Sequence, residues 1–365
     1  MKLKKLLSAL LAVVLIFAVL PAAARADDDA RSASIGEDEA AQLLADEYGD
    51  GVVFVLKDSG KETFTFECYN NAQHEKLLGT VEIDRATRRI SVVSGMKDVS
   101  PDFLSRIDVA HIESLISKES PRGNVSVAVI DLHTGEIVGT SNMDSGMSAS
   151  MMIAFPILYT ADRRVDAGDV KTSSNVVFNY TVSGGRGELY SGSDGKRFAL
   201  DRLLAIMLRS SDGNAADSLM DFVTRRSINT FCPLDGFESV KVNYHLSKAE
   251  NGTLQDNFIS AADVCRIVET QYNSDGPFGR DFLLLNLTAE DKDTCHGLGR
   301  HLIDEADVVM NFYAVVTRLY NEVLIIEDGE TAYAVAFMGD SERHVVLEDL
   351  ASRIGDYVYE TLCEN

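Results

Sequence analysis

The residues with the clearest chemical potential stand around Ser150, in the stretch Gly146-Met147-Ser148-Ala149-Ser150-Met151-Met152-Ile153-Ala154-Phe155-Pro156. A serine hydroxyl is a poor nucleophile at neutral pH and needs a base within hydrogen-bond reach to take its proton. On a helix that base belongs three residues on, because positions i and i+3 share a face. Three residues after Ser150 stands Ile153, which carries no basic atom. Ser150 therefore reads as a helix cap or as an exposed hydroxyl at the base of a cleft. A second polar step, Ser210-Ser211-Asp212-Gly213-Asn214, joins two helical patterns, and its Ser211-Asp212 pair suits a helix cap. Cys295 and His296 cannot form a dyad as extended neighbours, since adjacent side chains of a strand point to opposite faces. His296 and His301 miss the helical spacing of a metal pair and the other histidines are dispersed, so no metal site is expected. No glycine loop has the context of a phosphate site, and no cofactor is expected.

The elements that must position these residues follow from periodicity. The run from Met151 to Tyr159 is apolar on every side, the pattern of a helix buried nearly all round. Ser100-Pro101-Asp102 is a helix start, with a helix expected to about Ile116. Val125, Val127 and Val129 alternate into the turn Asp131–Gly135 and return through Glu136–Thr140, a β-hairpin. A helix is expected over Leu200–Leu208 and another from Asp212, and Asn257–Asp263 caps a further helix through Ile267. Val308 to Gly339 alternates like two or three strands, and Leu347–Leu362 reads as a closing amphipathic helix. Nearer the start, Glu37–Tyr48 has one helical face. Strands are expected at Val52–Lys57, Thr63–Tyr69, Leu78–Ile83 and Arg89–Val93, the last after an Asp84–Thr87 turn.

This order of elements resembles the penicillin-recognising serine hydrolases, the group of class A β-lactamases and penicillin-binding proteins. The resemblance spans roughly residues 98–365 and rests more on element order and motif flanks than on the motifs themselves. It implies an α+β fold, an antiparallel sheet flanked by helices, and a Ser-x-x-Lys nucleophile helix. If Ser150 is the nucleophile, the lysine position is Ile153. If Pro156 matches the proline that often follows the family motif, the nucleophile position is Met151 and the lysine position is Ala154. Neither register supplies a base. The family's Ser-x-Asn step, where the serine relays a proton and the asparagine holds a substrate amide, keeps Ser211 and Asp212. Its asparagine position is Gly213, with Asn214 one residue later. Counting back from Asn321-Glu322 puts Phe312, Tyr313 and Ala314 where the family carries Lys-Thr-Gly, so the cation for a substrate carboxylate is missing. Glu250 lies where a β-lactamase holds its deacylating glutamate, but its spacing to Leu254 and Asn257 departs from that pattern. The implied ligand-contacting set is Asp212, Gly213, Asn214 and Tyr313, over an apolar floor of Met151, Met152 and Phe312. Residues 27–97 form a separate small α+β unit that resembles a PepSY-type domain. That domain's last hairpin often carries Asp-x-x-Thr-Gly; here Arg88 stands at the glycine. Such domains bind or inhibit peptidases, or act as spacers.

Lys2, Lys4 and Lys5, the apolar run Leu6–Leu20 and the small-residue site Ala24-Arg25-Ala26 read as a secretory signal peptide over residues 1–26. The 365-residue chain carries a net charge of −23, and without the leader 30 basic face 57 acidic residues. So acidic a surface repels nucleic acid and anionic membranes, and no stable membrane insertion is expected after cleavage. Five scattered cysteines allow one disulfide at an odd count, and Cys265 in its helical context reads as a small buried hydrophobe. The leading expectation is an exported, catalytically inactive protein of β-lactamase-like fold that binds a cell-wall fragment, a peptide or a partner protein. The alternatives are a working serine hydrolase on β-lactams or cell-wall peptides through Ser150 and Ser211, and a scaffold whose function lies in the N-terminal unit.

Overall fold

The computed structural model describes residues 35–48, 53–69, 77–88, 90–94, 104–120, 122–180, 187–246, 249–250, 253–254, 257–289, 295–316, 318–329, 331–340 and 342–363. The leader and the helix start expected at Ser100-Pro101-Asp102 lie outside them.

The N-terminal unit is helix α1 (Glu37–Tyr48) followed by β1 (Val53–Ser59), β2 (Thr63–Tyr69), β3 (Leu77–Asp84) and β4 (Ile90–Ser94). The strands pair in sequence order as an antiparallel meander. Strand β2 alternates, so Phe64, Phe66 and Cys68 face Ala40 and Leu44 of the helix in one small core. Asp84 shapes the last hairpin by accepting from the Ala86 and Thr87 amides at 3.0 and 2.7 Å. Arg88 then takes φ +60°, the left-handed region that glycine favours, and pairs with Glu39 at 2.7 Å.

The larger part opens with α2 (Val109–Glu119), β5 (Asn124–Asp131), β6 (Ile137–Gly139), a two-residue strand β7 (Met147–Ser148) and α3 (Ala154–Asp166). A short ribbon of β8 (Asn175–Val177) and β9 (Arg197–Ala199) leads to α4 (Leu200–Ser210), α5 (Gly213–Val223) and α6 (Arg225–Leu234). Two-residue strands β10 (Ala249–Glu250), β11 (Thr253–Leu254) and β12 (Phe258–Ile259) precede α7 (Ala261–Tyr272) and α8 (Arg280–Leu287). The chain closes with β13 (Val308–Val316), β14 (Leu319–Asp328), β15 (Thr331–Asp340) and α9 (His344–Leu362).

One antiparallel sheet in the order β13-β14-β15-β5-β6 organises this part. One face packs on α3, α4, α5, α7 and α8 around Ile157, Leu204, Val264 and Ile325. The other packs on α2 and α9 around Ile112, Val129, Leu324 and Ile354. Covered on both sides, β14 and β15 are buried along almost their whole length instead of alternating buried with exposed. The α+β architecture with helices flanking an antiparallel sheet is thus as expected.

Three expectations change. The helix placed from Ser100 to about Ile116 begins at Val109, because the Asp108 carboxylate caps it, accepting from the Ala110 and His111 amides. Helices α6 and α8 were not expected: α6 interrupts its own pattern with Pro233, and α8 is only eight residues long. No disulfide forms; all five cysteines are free and four are buried. No helix among the described residues is long and apolar enough to cross a membrane.

Candidate functional site

Ser150 opens a single 3-10 turn, Ser150–Ile153, that runs directly into α3. Its φ is +45°, a left-handed backbone that costs a non-glycine residue about 1–2 kcal/mol and is kept only where the surroundings enforce it. The enforcement is visible. The Ala149 amide donates to Asn257 O at 2.8 Å, β7 pairs with β12, and Asn321 Nδ2 donates to the carbonyls of Ser148 and Ala149 at 2.8 and 3.3 Å. The Ser150 side chain is half-buried and makes no hydrogen bond with any described residue. Ile153 closes the same turn, three residues after Ser150. Ile153 and Ala154 are both fully buried, so neither register places a base beside the hydroxyl.

Ser211 ends α4 in the same left-handed region, at φ +48°, and its Oγ donates to the Tyr313 carbonyl at 3.3 Å. That bond brings the loop between α4 and α5 against β13. Asp212 is turned away from solvent. It is fully buried, with Oδ1 accepting from the Asn214 and Ala215 amides and Oδ2 accepting from the Leu189 amide, each at 3.0 Å. It caps α5 and fastens the 187–190 segment in one stroke. Gly213 is the first residue of α5, and Asn214 behind it is buried in the first turn.

Strand β13 forms the outer wall. Its side chains alternate, so Phe312 and Tyr313 part company. Phe312, 2% exposed, meets Phe155 of α3 edge to face at 5.3 Å. Tyr313 points to the other face of the sheet, its ring 4.2 Å from that of His296. Met152 is fully buried and Met151 nearly so. The expected floor of Met151, Met152 and Phe312 is therefore packed core, and Tyr313 offers the cleft its carbonyl instead of its ring. Glu250 pairs with Thr253 in a two-residue ladder, and its side chain lies outside the described residues.

A model of the beta-lactamase enzyme family matches residues 109–362, more than half of the chain. The chain belongs to that family. No curated protein sequence matches it. Among solved structures it is similar to a beta-lactamase from Sphaerobacter thermophilus (18% identity, TM-score 0.59), with 70% of this chain and 98% of that one covered. The TLA-1 extended-spectrum beta-lactamase is 17% identical with a TM-score of 0.60, covering 72% and 99%. PBP-A is 17% identical with a TM-score of 0.56, covering 69% and 95%. At such identities the likeness concerns the fold. None of these findings bears on the PepSY resemblance of the N-terminal unit.

Within this beta-lactamase-family domain, the positions at which the family's lysines were expected hold a hydrocarbon layer: Ile153 or Ala154 on the helix side, Phe312 on the strand side. Elsewhere, Ser352, His301 and Asp356 lie together, but Ser352 Oγ and Asp356 Oδ2 both approach the same ring atom, His301 Nδ1, at 3.5 and 3.0 Å. A proton relay needs the two partners on different ring nitrogens, so this trio is no triad. Among the described residues no group of three or more histidine, cysteine, aspartate or glutamate side chains is placed to hold a metal.

Two residues that sequence reading used only as a counting mark shape the site. Asn321, buried on β14, holds the Ser150 turn and accepts from the Gly339 amide at 3.2 Å. Its neighbour Glu322 is also buried, and burial pushes its carboxyl up to about 7. The signal was a polar pair inside an otherwise apolar strand, Tyr320-Asn321-Glu322-Val323-Leu324-Ile325-Ile326.

Proposed function

We propose that this member of the beta-lactamase family is an exported binding protein without hydrolase chemistry, which holds an extended peptide or peptide-bearing cell-wall fragment against β13. One observation carries the reading: the side chains at both candidate base positions and at the strand lysine position are apolar and buried. A hydroxyl at Ser150 then has no basic side chain three residues along the chain to take its proton. Export rests on the leader pattern of residues 1–26.

The edge of β13 supports the choice of ligand. In an antiparallel strand alternate residues turn both backbone polar groups outward. Val309 O receives the Ala289 amide and Tyr313 O receives Ser211 Oγ, so the outward set is Val309, Asn311, Tyr313 and Val315. Val315 therefore offers an N–H and a C=O beyond Ser211, the hydrogen-bonding pair with which an added strand docks. The apolar wall and the acidic chain favour a ligand without net negative charge. In this reading the N-terminal unit, PepSY-like in its helix and hairpins, acts as a spacer or a second binding module.

A second reading has its own support. The left-handed turns at Ser150 and Ser211 are costly features of the kind that cluster at active sites. The L158E mutant of PBP-A, one of the similar folds, is known as an acyl-enzyme complex with penicillin G. Incubation of the purified chain with a fluorescent penicillin, followed by intact-mass spectrometry, separates the two. Absence of an adduct is the expected result. An adduct that disappears in Ser150→Ala establishes a working serine hydrolase instead.

A further inference from the structure

The opposite face of β14 holds a carboxyl group that the cleft does not use. Glu322 is fully buried. Its Oε2 accepts from the Leu298 amide at 2.8 Å and from the Tyr320 hydroxyl at 2.9 Å, and its Oε1 accepts from Asn311 Nδ2 on β13. All three donors are neutral, and none of its hydrogen bonds comes from a cation. The turn Gly297–Gly299 is pressed onto it: Gly297 sits at φ +32°, and a Cβ there would collide with Glu322 Oε2 and the Tyr320 hydroxyl. Asn311 Oδ1 is buried and has no hydrogen-bond partner.

The groups around it make ionisation costly. From α9 comes Glu348, an acid whose charge opposes that of Glu322. From the segment between α8 and β13 come Cys295, His296 and Arg300, with the Cys295 thiol itself pushed up by burial and by Glu322. Arg300 is taken by Glu348 at 2.7 Å and Asp349 at 3.1 Å, and His296 Nδ1 lies 3.4 Å from Glu348. Strand β13 adds Asn311 and Tyr313, β14 adds Tyr320, and β15 brings Phe337 across the ladder.

We infer that Glu322 is a proton-controlled latch: when neutral it fastens β13 and the Gly297–Gly299 turn to β14, and when it loses its proton that wall loosens. The neutral acid has one O–H to give, and Asn311 Oδ1 is a buried acceptor in want of a donor on the amide it already contacts. The ionised acid is a bare charge facing a second acid in an apolar layer, which only entering water or a shifted wall relieves. Because β13 carries Tyr313, whose ring rests on His296 and whose carbonyl holds Ser211, loosening the strand from behind also alters the cleft. The latch stands whatever the cleft binds and whether or not it is catalytic.

Hydrogen–deuterium exchange with mass spectrometry on the full chain tests it, at about pH 5.5 and about pH 8.5, with exchange times scaled for the intrinsic pH dependence. After scaling, peptides from 295–316 should exchange about tenfold faster at the higher pH, while those from α7 stay unchanged. In Glu322→Gln, whose amide is neutral at both pH values, the difference should vanish. In Glu348→Gln, which removes the opposing charge, the midpoint should move to lower pH. Equal scaled exchange in the wild type, a difference that survives Glu322→Gln, or equal loosening of α7 overturns the latch. Should Glu322→Gln fail to fold, an unmoved midpoint in Glu348→Gln overturns it on its own.

Discussion

Phe155 and Phe312 meet edge to face, ring centroids 5.3 Å apart, joining the helix behind Ser150 to the strand that walls the cleft. Such pairs contribute about 0.5–1.5 kcal/mol beyond the area they bury. In the family this chain belongs to, a lysine was expected at the strand position; here the contact is an aromatic one.

The stability of this contact is open to measurement. Phe312→Ala should cost about 3–5 kcal/mol in urea unfolding, the usual cost of emptying a packed aromatic site. Phe312→Lys should cost at least as much, because its ammonium would be buried beside Phe155 without a partner. A lysine variant as stable as the wild type would mean that water reaches this layer, and the reading of a dry cleft floor would fail.

The turn at Ser150 makes a different forecast. Glycine accepts φ +45° without strain, so Ser150→Gly should be at least as stable as the wild type despite its looser unfolded chain. Ser150→Val, β-branched and averse to the left-handed region, should lose about 1–2 kcal/mol. Thermal unfolding of the two variants gives the comparison. Equal melting temperatures would show that the turn relaxes freely.

Asn321 is expected to matter more than its distance from any reacting atom implies. Asn321→Ala removes the donor to the Ser148 and Ala149 carbonyls and the acceptor for the Gly339 amide, and should cost about 1–3 kcal/mol. Asn321→Asp should be worse, because it sets a carboxylate against two carbonyl oxygens. Faster exchange of amides in 147–153 than elsewhere would locate the damage at the turn.

Glu322 also imposes a pH dependence on global stability. Its carboxyl is raised from 4.5 to about 7 in the folded chain, so between those values the folded state holds a proton that the unfolded state has released. Stability from this group is therefore full below about pH 4.5, falls as pH rises towards 7, and is flat above. Urea midpoints of wild type and Glu322→Gln should diverge across that window, the glutamine protein being the more stable at high pH. With the Asn311 amide turned over, its NH2 donates to Asn311 Oδ1 while its oxygen still accepts from Leu298 and Tyr320. Parallel curves would contradict this.

The cysteines offer a simpler check. Burial pushes the thiols of Cys68, Cys232, Cys265, Cys295 and Cys363 up to about 12, so each is protonated and unreactive at neutral pH. A thiol-reactive dye should leave the native chain almost unlabelled, Cys363 reacting first because it alone is not fully buried. All five should react in denaturant.

What could be read from sequence was whatever repeats along one segment. The strands of the N-terminal unit, the closing helix and the buried run after Ser150 follow from apolar spacing, and the cap role of Asp212 follows from residue type. Side-chain direction across elements was not legible. Tyr313 was placed by counting back from Asn321-Glu322, and a count does not say that adjacent strand residues face opposite layers. Asn321 and Glu322 were legible as an anomaly but not as clamps, since their partners include Leu298, 24 residues from Glu322, and Ser148, 173 residues from Asn321. The start of α2 was missed for the opposite reason: Asp108, in the middle of the expected helix, is itself a good cap.

The two left-handed serines have a consequence for the engineering of this protein. A catalytic backbone bend is harder to supply than a side chain, and here the left-handed bends at Ser150 and Ser211 stand beside the buried apolar side chains of Ile153, Ala154 and Phe312. On the proposed reading, the scaffold invites a test by exchange of those side chains for basic ones, with the bent backbone left as it stands.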